Sequence, residues 1–286
     1  MTATQAQPTA RVLADEMPAP ERVREVLVAG TRPERAGVLS STITFSWRAL
    51  LKIKHVPEQL LDVTMFPIMF VLMFTYLFGG ALAGSTKEYI QFLLPGILVQ
   101  TVVMISMYTG HTLNREVQRG VFDRIRSLPV WQPTMLIGML LGDALRYTMA
   151  STVIITLGLI LGFRPDGGAT GVILSVALVL LFSFSVSWIW TSLGLIMRTP
   201  ESLMNMSMMI LFPLTFVSNI FVDPSTMPGW LQPVVENNPI SRLATAVRSL
   251  MAGEPDGSEI GWVFVASAVL VAIFAPATTY LYRNKK

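Results

Sequence analysis

Few side chains in this sequence combine the types and spacing that catalysis or nucleotide binding requires. The sequence has no cysteine, and its two histidines, His55 and His111, lie far apart. It contains neither the Gly-x-x-x-x-Gly-Lys-Ser/Thr loop that cradles phosphates nor the His-Glu-x-x-His pair that holds zinc. We therefore expect this chain to bind no metal and no nucleotide cofactor, and to catalyse no reaction.

Asp143 and Arg146 are the ionisable residues that interrupt one long apolar run. Their i, i+3 spacing places them on one face of a helix, where they can neutralise each other. The pair is either a structural ion pair or a group with a role in gating or coupling. Ion-coupled carriers usually bury ionisable residues near the membrane midplane, and a self-neutralised pair toward one end of the run argues against proton or sodium coupling.

These residues belong to a chain with the composition of an integral membrane protein. Hydrophobic residues make up 52% of its 286 residues and charged residues 14%, whereas soluble proteins carry about a quarter charged residues. Residues 1–36 mix Ala, Pro, Thr, Arg and Glu without periodicity, which predicts a flexible tail. No secretory signal precedes the apolar runs, so we expect an internal span to direct insertion.

The apolar runs predict an all-α membrane domain over residues 37–283, with six transmembrane helices. An amphipathic pattern over residues 39–56 predicts an interfacial helix that precedes them. Each later run is bracketed by charged residues and reaches the roughly 20 residues that cross the hydrocarbon. The predicted spans are about 63–84, 89–113, 132–163, 169–197, 202–222 and 259–281.

The placement of basic residues predicts the orientation of these spans. Most of the 21 lysines and arginines fall in the N-terminal region, in the segment after the second span, and in the C-terminal tail. Because basic residues concentrate on the cytoplasmic side, both termini and that segment are predicted to be cytoplasmic.

The segment 114–128 is the most charged part of the chain between two spans. As a helix it would place four apolar residues on one face and three charged residues away from it: Val117, Val121, Ile125 and Leu128, against Arg119, Asp123 and Arg126. This pattern predicts a helix that lies on a membrane face or against a docked partner.

Residues 223–258 form a segment too long for a simple turn between the fifth and sixth spans. Several prolines interrupt it, and its second half is amphipathic but too short to cross a membrane. We expect short re-entrant helices here, with an apolar face made of Ile240, Leu243, Ala244, Val247 and Leu250. Such broken backbone is tolerated only where protein buries it.

The fifth span mixes methionines with hydrogen-bonding residues. Flexible methionine side chains with a few polar groups suit a path for varied apolar substrates, although ordinary packed or lipid-facing methionine is the simpler alternative. The candidate residues for a substrate path or a dimer interface are Met204, Asn205, Met208, Thr215 and Asn219. In the third span, Gly138, Gly142, Gly158 and Gly162 form two Gly-x-x-x-Gly spacings, which indicate tight helix packing.

Several of these stretches, in this order, resemble the ABC type 2 permeases of the daunorubicin-resistance kind. The resemblance covers roughly residues 40–283. It rests on residues 114–116 (NRE), 122–129 (FDRIRSLP), 142–147 (GDALRY), 212–219 (FPLTFVSN), 227–231 (MPGWL) and 238–239 (NP).

The resemblance implies a six-span permease of the cell membrane that pairs with a similar permease, as a homodimer or heterodimer, and with two copies of a separate ABC ATPase. ATP and Mg would then bind the ATPase rather than this chain. Residues 114–128 would be the coupling helix seated on it, with contacts from Glu116, Val117, Arg119, Val121, Asp123, Ile125 and Arg126. The first and fifth spans would face the dimer axis, and nucleic acid is not an expected partner.

The function that follows is export of hydrophobic or amphipathic compounds, such as drugs, antibiotics or lipids, from the cytoplasm or inner leaflet. Export of polysaccharide or lipid-linked glycan is an alternative that shares nearly every feature. An ion-coupled carrier is a further alternative, because a chain without a nucleotide-binding loop must take its energy from an ion gradient or from another chain.

Overall fold

Long α-helices dominate the part of the chain that the computed structural model describes, residues 57–120 and 134–284 with Gly37, Thr44 and Trp47. Within these residues there is no β-strand. They belong to one unit, Gly37–Lys286. The tail 1–36, nearly all of the predicted interfacial helix 39–56, and residues 121–133 lie outside the described residues.

The described helices follow the predicted spans closely in position. They are α1 (Pro57–Ala83), α2 (Thr86–Gln118), α3 (Thr134–Leu161), α4 (Gly168–Ile196), α5 (Pro200–Phe216), α6 (Gln232–Glu236), α7 (Pro239–Ala252) and α8 (Gly257–Asn284). A 3₁₀ helix, Pro224–Thr226, lies between α5 and α6. The all-helical architecture predicted from the sequence is therefore confirmed.

Five helices in the described part of the chain are long and apolar enough to cross a membrane. The crossing segments are Met65–Leu82, Thr86–Gln118, Gly138–Leu161, Gly168–Ile196 and Gly257–Tyr282. The chain is thus a multi-span membrane protein. The predicted fifth span coincides with α5, which has 17 residues and ends at Phe216. At 1.5 Å per residue α5 extends about 26 Å, slightly less than the hydrocarbon thickness of about 30 Å.

The centre of the bundle is α2, which packs against α1, α3, α4, α5 and α7. In an apolar 18-residue stretch of α2, 83% of the residues are buried within the protein, compared with 11% in the corresponding stretch of α8. In α2, therefore, apolar residues cover the whole circumference, which is typical of a helix surrounded by protein. Helix α8 instead packs mainly against α4 and leaves most of its surface for lipid or another chain.

Two close backbone approaches set the spacing of α2 and α4. A Cβ added to Gly110 would lie 2.1 Å from the carbonyl oxygen of Trp190, and one added to Gly194 would lie 2.6 Å from the carbonyl oxygen of Gly110. Glycine is required at both positions, because any side chain would displace the opposing backbone. The indole Nε1 of Trp190 donates a 3.0 Å hydrogen bond to Ser106 Oγ at the same crossing.

Residues 217–256, here called the cap segment, close one end of the bundle. The five residues of the predicted apolar face of α7 are all buried there, as the amphipathic pattern predicts. Side chains satisfy backbone carbonyls at the C-terminal end of α5: Asn238 Nδ2 donates to the carbonyl oxygens of Leu214 and Val217 at 2.7 and 2.6 Å. Tyr89 Oη of α2 donates to the carbonyl oxygen of Phe221 at 2.9 Å.

Arg248 of α7 anchors the cap segment to α2. Its guanidinium donates to the carbonyl oxygens of Phe92, Asn219 and Ile220 at 3.0, 2.8 and 3.2 Å. It also lies 3.9 Å from the centre of the Phe92 ring, a distance at which a cation is attracted to the ring face. These backbone carbonyls would be costly to leave unpaired in an apolar medium, and the Arg248 side chain satisfies them.

Candidate functional site

An apolar groove of about 620 Å³ lies between α1, α2 and α5. Methionine and phenylalanine dominate its described lining: Met65, Phe66, Met69, Phe70, Met104, Met107, Met208, Phe212 and Phe216. The groove is open on one side, where Met65 is 60% exposed and Phe212 is 54% exposed. Its volume matches that of sites for drug-sized ligands, and its flexible thioethers can adapt to ligands of different shape.

The aromatic side chains of the groove continue toward the cap segment. Phe212 stacks on Phe216 with ring centres 4.3 Å apart, and Phe216 stacks on Phe221 at 5.3 Å. Phe221 also stacks on Phe74 of α1 at 4.6 Å. An apolar surface therefore extends from the groove along α1 and α5 to the cap segment.

Gln100 and Thr101 supply polar groups in the wall of this groove. They are 5% and 7% exposed, and neither side chain forms a hydrogen bond with another described residue. Their polar atoms are not enclosed by protein and reach the open groove, where they can bond to water or to a ligand. These two residues can therefore orient a polar group of an apolar compound in the groove.

The residues predicted for a substrate path fall in different environments. Met208 lines the groove, and Met204 is half-buried against the core. Asn205 is exposed one turn before Met208, on the same face of α5, but it does not line the groove. Thr215 is buried and its hydroxyl donates to the carbonyl oxygen of Leu211 at 2.6 Å, and Asn219 lies in the cap segment. Of the five, Met208 alone contacts this groove among the described residues.

The predicted ion pair is present in α3. Arg146 Nη1 lies 2.9 Å from Asp143 Oδ1, and the side chains are 11% and 7% exposed. Thr109 of α2 donates to the other carboxylate oxygen at 2.5 Å. Both oxygens of Asp143 are therefore occupied, and none of the residues of this cluster lines the groove.

The predicted coupling helix begins as a continuation of α2, which extends to Gln118. Asn114 is fully buried and its Nδ2 donates to the carbonyl oxygens of Gly194 and Met197, each at 2.8 Å, so it caps the C-terminal end of α4. Glu116 is 6% exposed. The start of this segment is thus built into the bundle, where a surface helix was predicted.

The remaining residues of the predicted coupling surface divide into two groups. Val117 is half-buried against the cluster of Leu113, Leu195 and Tyr282, while Arg119 is exposed. Val121, Asp123, Ile125, Arg126 and Leu128 lie outside the described residues.

The sequence carried a signal for Gln100 that pattern analysis missed. The run Ile97–Val103 reads ILVQTVV, so a glutamine interrupts an otherwise apolar span. A polar residue within a membrane helix is costly and is often functional. The methionines and phenylalanines of residues 65–74 in α1 were a second signal, because their composition matches that of α5.

The described helices are those of a multi-span membrane protein, and comparison with known proteins supplies the family. Residues 40–252 match the ABC-2 type transporter family. The chain belongs to the ABC-2 type transporter family, which confirms the resemblance seen in the sequence. It is a transport subunit.

Individual relatives agree with this assignment. The chain is 53% identical over 268 residues to the daunorubicin resistance ABC transporter permease protein DrrB1 of Streptomyces coeruleorubidus, covering 94% of this chain and 95% of the relative. It is 23% identical to the probable doxorubicin resistance ABC transporter permease protein DrrC of Mycobacterium tuberculosis, covering 76% and 79%. A putative transport permease, ycf38, of Cyanophora paradoxa is 23% identical, covering 80% and 78%.

Proposed function

We propose that this permease exports hydrophobic or amphipathic compounds through the groove between α1, α2 and α5. The observation that carries the proposal is the groove itself, a drug-sized apolar site of methionine and phenylalanine with Gln100 and Thr101 unpartnered in its wall. The relative named for daunorubicin resistance makes daunorubicin the first compound to test.

The lining of the groove favours this cargo over a glycan. Polysaccharide carries hydroxyl groups at every sugar, and burying each without a partner would cost several kcal/mol. The described lining offers few hydrogen-bonding groups: apart from Tyr108, they are the side chains of Gln100 and Thr101. An apolar compound with one or two polar groups matches these few hydrogen-bonding side chains.

The energy is proposed to come from a separate ATPase, of which two copies would bind a pair of permeases. The sequence has no phosphate-binding loop, and the buried Asp143–Arg146 pair is already neutralised and hydrogen-bonded. The carboxylate of Asp143 is therefore poorly suited to take up and release a coupling ion, because both its oxygens already have partners.

The proposed orientation places both termini and residues 114–128 in the cytoplasm of a cell-membrane protein. The cap segment is then extracellular and re-entrant. In this arrangement α5 together with the non-helical residues 217–223 would complete a sixth crossing, because α5 alone falls short of the hydrocarbon thickness by only a few ångströms.

Everted membrane vesicles that contain this chain and its ATPase test the function. ATP should drive daunorubicin accumulation, and omission of either chain should abolish it. Transport driven by an imposed proton or sodium gradient without the ATPase would contradict the proposal.

Variants in the groove wall then test the site. Gln100→Leu should weaken the apparent affinity about fivefold, since a lost hydrogen bond is worth about 1 kcal/mol. Ile173→Ala on α4, where Ile173 is 67% exposed away from the groove, is the matched control and should leave transport unchanged.

Coupling through residues 114–128 has its own test. The double variant Glu116→Ala, Arg119→Ala should reduce transport and ATPase association without preventing insertion. Because Glu116 is buried and Arg119 is exposed, Arg119→Glu alone separates a docking effect from a folding effect. Lys87→Glu, an exposed change at the opposite end of α2, is the control. Normal export by the double variant would refute the assignment.

A further inference from the structure

A second cavity, of about 530 Å³, lies between the cap segment, α2 and α8. We call it the cap pocket. It shares no described lining residue with the apolar groove. Its chemistry is also different, because charged and polar side chains surround it: Asn219, Asp223, Glu236, Arg242, Arg248 and Glu259. Neither the transport path nor the coupling segment accounts for it.

Asn219, a residue of the pocket lining, carries an amide oxygen without a partner among the described residues. Asn219 is 7% exposed. Its Nδ2 donates to Thr245 Oγ1 at 2.9 Å, and its backbone N–H donates to Ser241 Oγ at 3.0 Å, so the side chain is held in place. Its Oδ1 is buried and accepts no hydrogen bond from the described residues. A fixed, buried acceptor of this kind needs a donor from elsewhere.

A carboxylate oxygen in the same pocket also lacks a hydrogen bond. Glu259 Oε2 is buried, and its nearest cation, Arg242 Nε, is 3.9 Å away, beyond hydrogen-bonding distance. Arg242 is directed instead over the ring of Trp262, with its Cζ 5.1 Å from the ring centre. The pair is therefore too loosely associated to satisfy the carboxylate.

The remaining charges leave the pocket with an excess of acceptors. Arg248 donates to three backbone carbonyls and stacks on Phe92, so its guanidinium is committed to the cap segment. Hydrogen bonds from the Ser225 hydroxyl and amide lower the pKa of Asp223, which therefore carries a negative charge at neutral pH. With Glu236 and Glu259, the pocket has three carboxylates to two guanidinium groups.

We propose that the cap pocket binds the protonated primary amine of a small organic compound. An ammonium group brings a positive charge and three N–H donors, which match the free acceptors of Asn219 and Glu259 and the excess carboxylate charge. A metal ion is a poorer match, because no cluster of three or more His, Cys, Asp or Glu side chains among the described residues could hold one.

Thermal unfolding of the full-length protein in a non-ionic detergent tests the site with n-butylammonium as probe. A ligand that binds the folded state raises the unfolding temperature in a concentration-dependent way. Neutral n-butanol and tetramethylammonium, which has charge but no N–H, are the comparison compounds. We expect a saturable rise for n-butylammonium alone; no rise, or an equal rise with tetramethylammonium, would overturn the proposal.

Variants assign the binding to this pocket. Glu259→Gln should weaken n-butylammonium binding at least tenfold, since it removes the charge and retains the shape. Glu236 also lines the pocket, and because it is exposed its substitution should not disturb folding. Glu236→Gln should weaken n-butylammonium binding by a smaller factor than Glu259→Gln does. Glu254→Gln, an exposed acid outside the lining, is the control. Unchanged affinity in both pocket variants would refute the site even if groove transport is intact.

Discussion

Thr109 on α2 donates a 2.5 Å hydrogen bond to the carboxylate of Asp143 on α3, and this contact joins two helices through a buried charge. The other carboxylate oxygen pairs with Arg146 at 2.9 Å. A buried ion pair with few hydrogen bonds often costs more in lost hydration than it gains, whereas one with its oxygens satisfied can be maintained. The geometry therefore describes a packed structural unit between α2 and α3.

Removal of one member of this pair should be strongly destabilising. Asp143→Ala leaves the Arg146 guanidinium buried without a partner, at a cost of about 3–5 kcal/mol. The double variant Asp143→Ala, Arg146→Ala should recover much of that loss, while Thr109→Val should cost about 0.6 kcal/mol, typical of a hydrogen bond between membrane helices. Unfolding titrations in mixed micelles measure all three, and additive effects of the two single alanine variants would contradict the prediction.

The ion pair shows how far the sequence could lead. The i, i+3 spacing of Asp143 and Arg146 is local, so helical geometry alone was enough to predict their contact. Thr109 is 34 residues away, and its role depends on how α2 packs against α3. Gln100 is similar, since its lack of a partner can be recognised only when the neighbouring helices are in place.

Asn114 should be required for the stability of the α2–α4 end of the bundle. Asn114→Ala removes two donors from the last carbonyls of α4 and leaves Gly194 and Met197 unsatisfied, for which we expect about 1–3 kcal/mol. Arg115→Ala, at the exposed neighbouring position, should have no effect on the unfolding transition. A stable Asn114→Ala protein that fails to bind the ATPase would instead assign this residue to docking.

This position also explains an error in the sequence analysis. The apolar spacing of Val117, Val121, Ile125 and Leu128 predicted a surface helix from residue 114 onward. Helix α2 has the same 3.6-residue period and continues to Gln118, so periodicity alone could not locate the boundary between them. The buried environment of Asn114 results from α4, whose end lies 80 residues further along the chain.

The cap segment should lose stability at acidic pH through Asp223. Hydrogen bonds from the Ser225 hydroxyl and backbone N–H, at 2.6 and 2.8 Å, hold its pKa below the ordinary value. A depressed folded-state pKa contributes stability above the unfolded-state pKa of 3.8, and this contribution is lost as pH falls through the folded-state value. Asp223→Asn should therefore flatten the acid side of the stability profile, whereas Glu254→Gln, the exposed control, should retain its slope.

Gly110 provides the sharpest test of helix packing. Gly110→Ala would place a methyl group 2.1 Å from the backbone oxygen of Trp190, and since backbone cannot rotate away, α2 and α4 must separate at a cost of about 1–3 kcal/mol or more. Gly261→Ala is a matched control in α8, because its added methyl would meet nothing within 4 Å and alanine is the better helix former.

The same comparison tests what the Gly-x-x-x-Gly pattern can predict. Gly158 belongs to one of the two Gly-x-x-x-Gly pairs, and a Cβ added to it would lie 2.2 Å from the side chain of Leu94. Because this neighbour is a flexible side chain, it can move. Gly158→Ala should therefore be milder than Gly110→Ala, although Gly110 belongs to neither of those pairs. Unfolding transitions of the three variants give the expected order: Gly110→Ala least stable, Gly158→Ala intermediate, and Gly261→Ala equal to or above the parent. If Gly158→Ala were the most damaging change, the spacing motif rather than backbone contact would determine helix packing here.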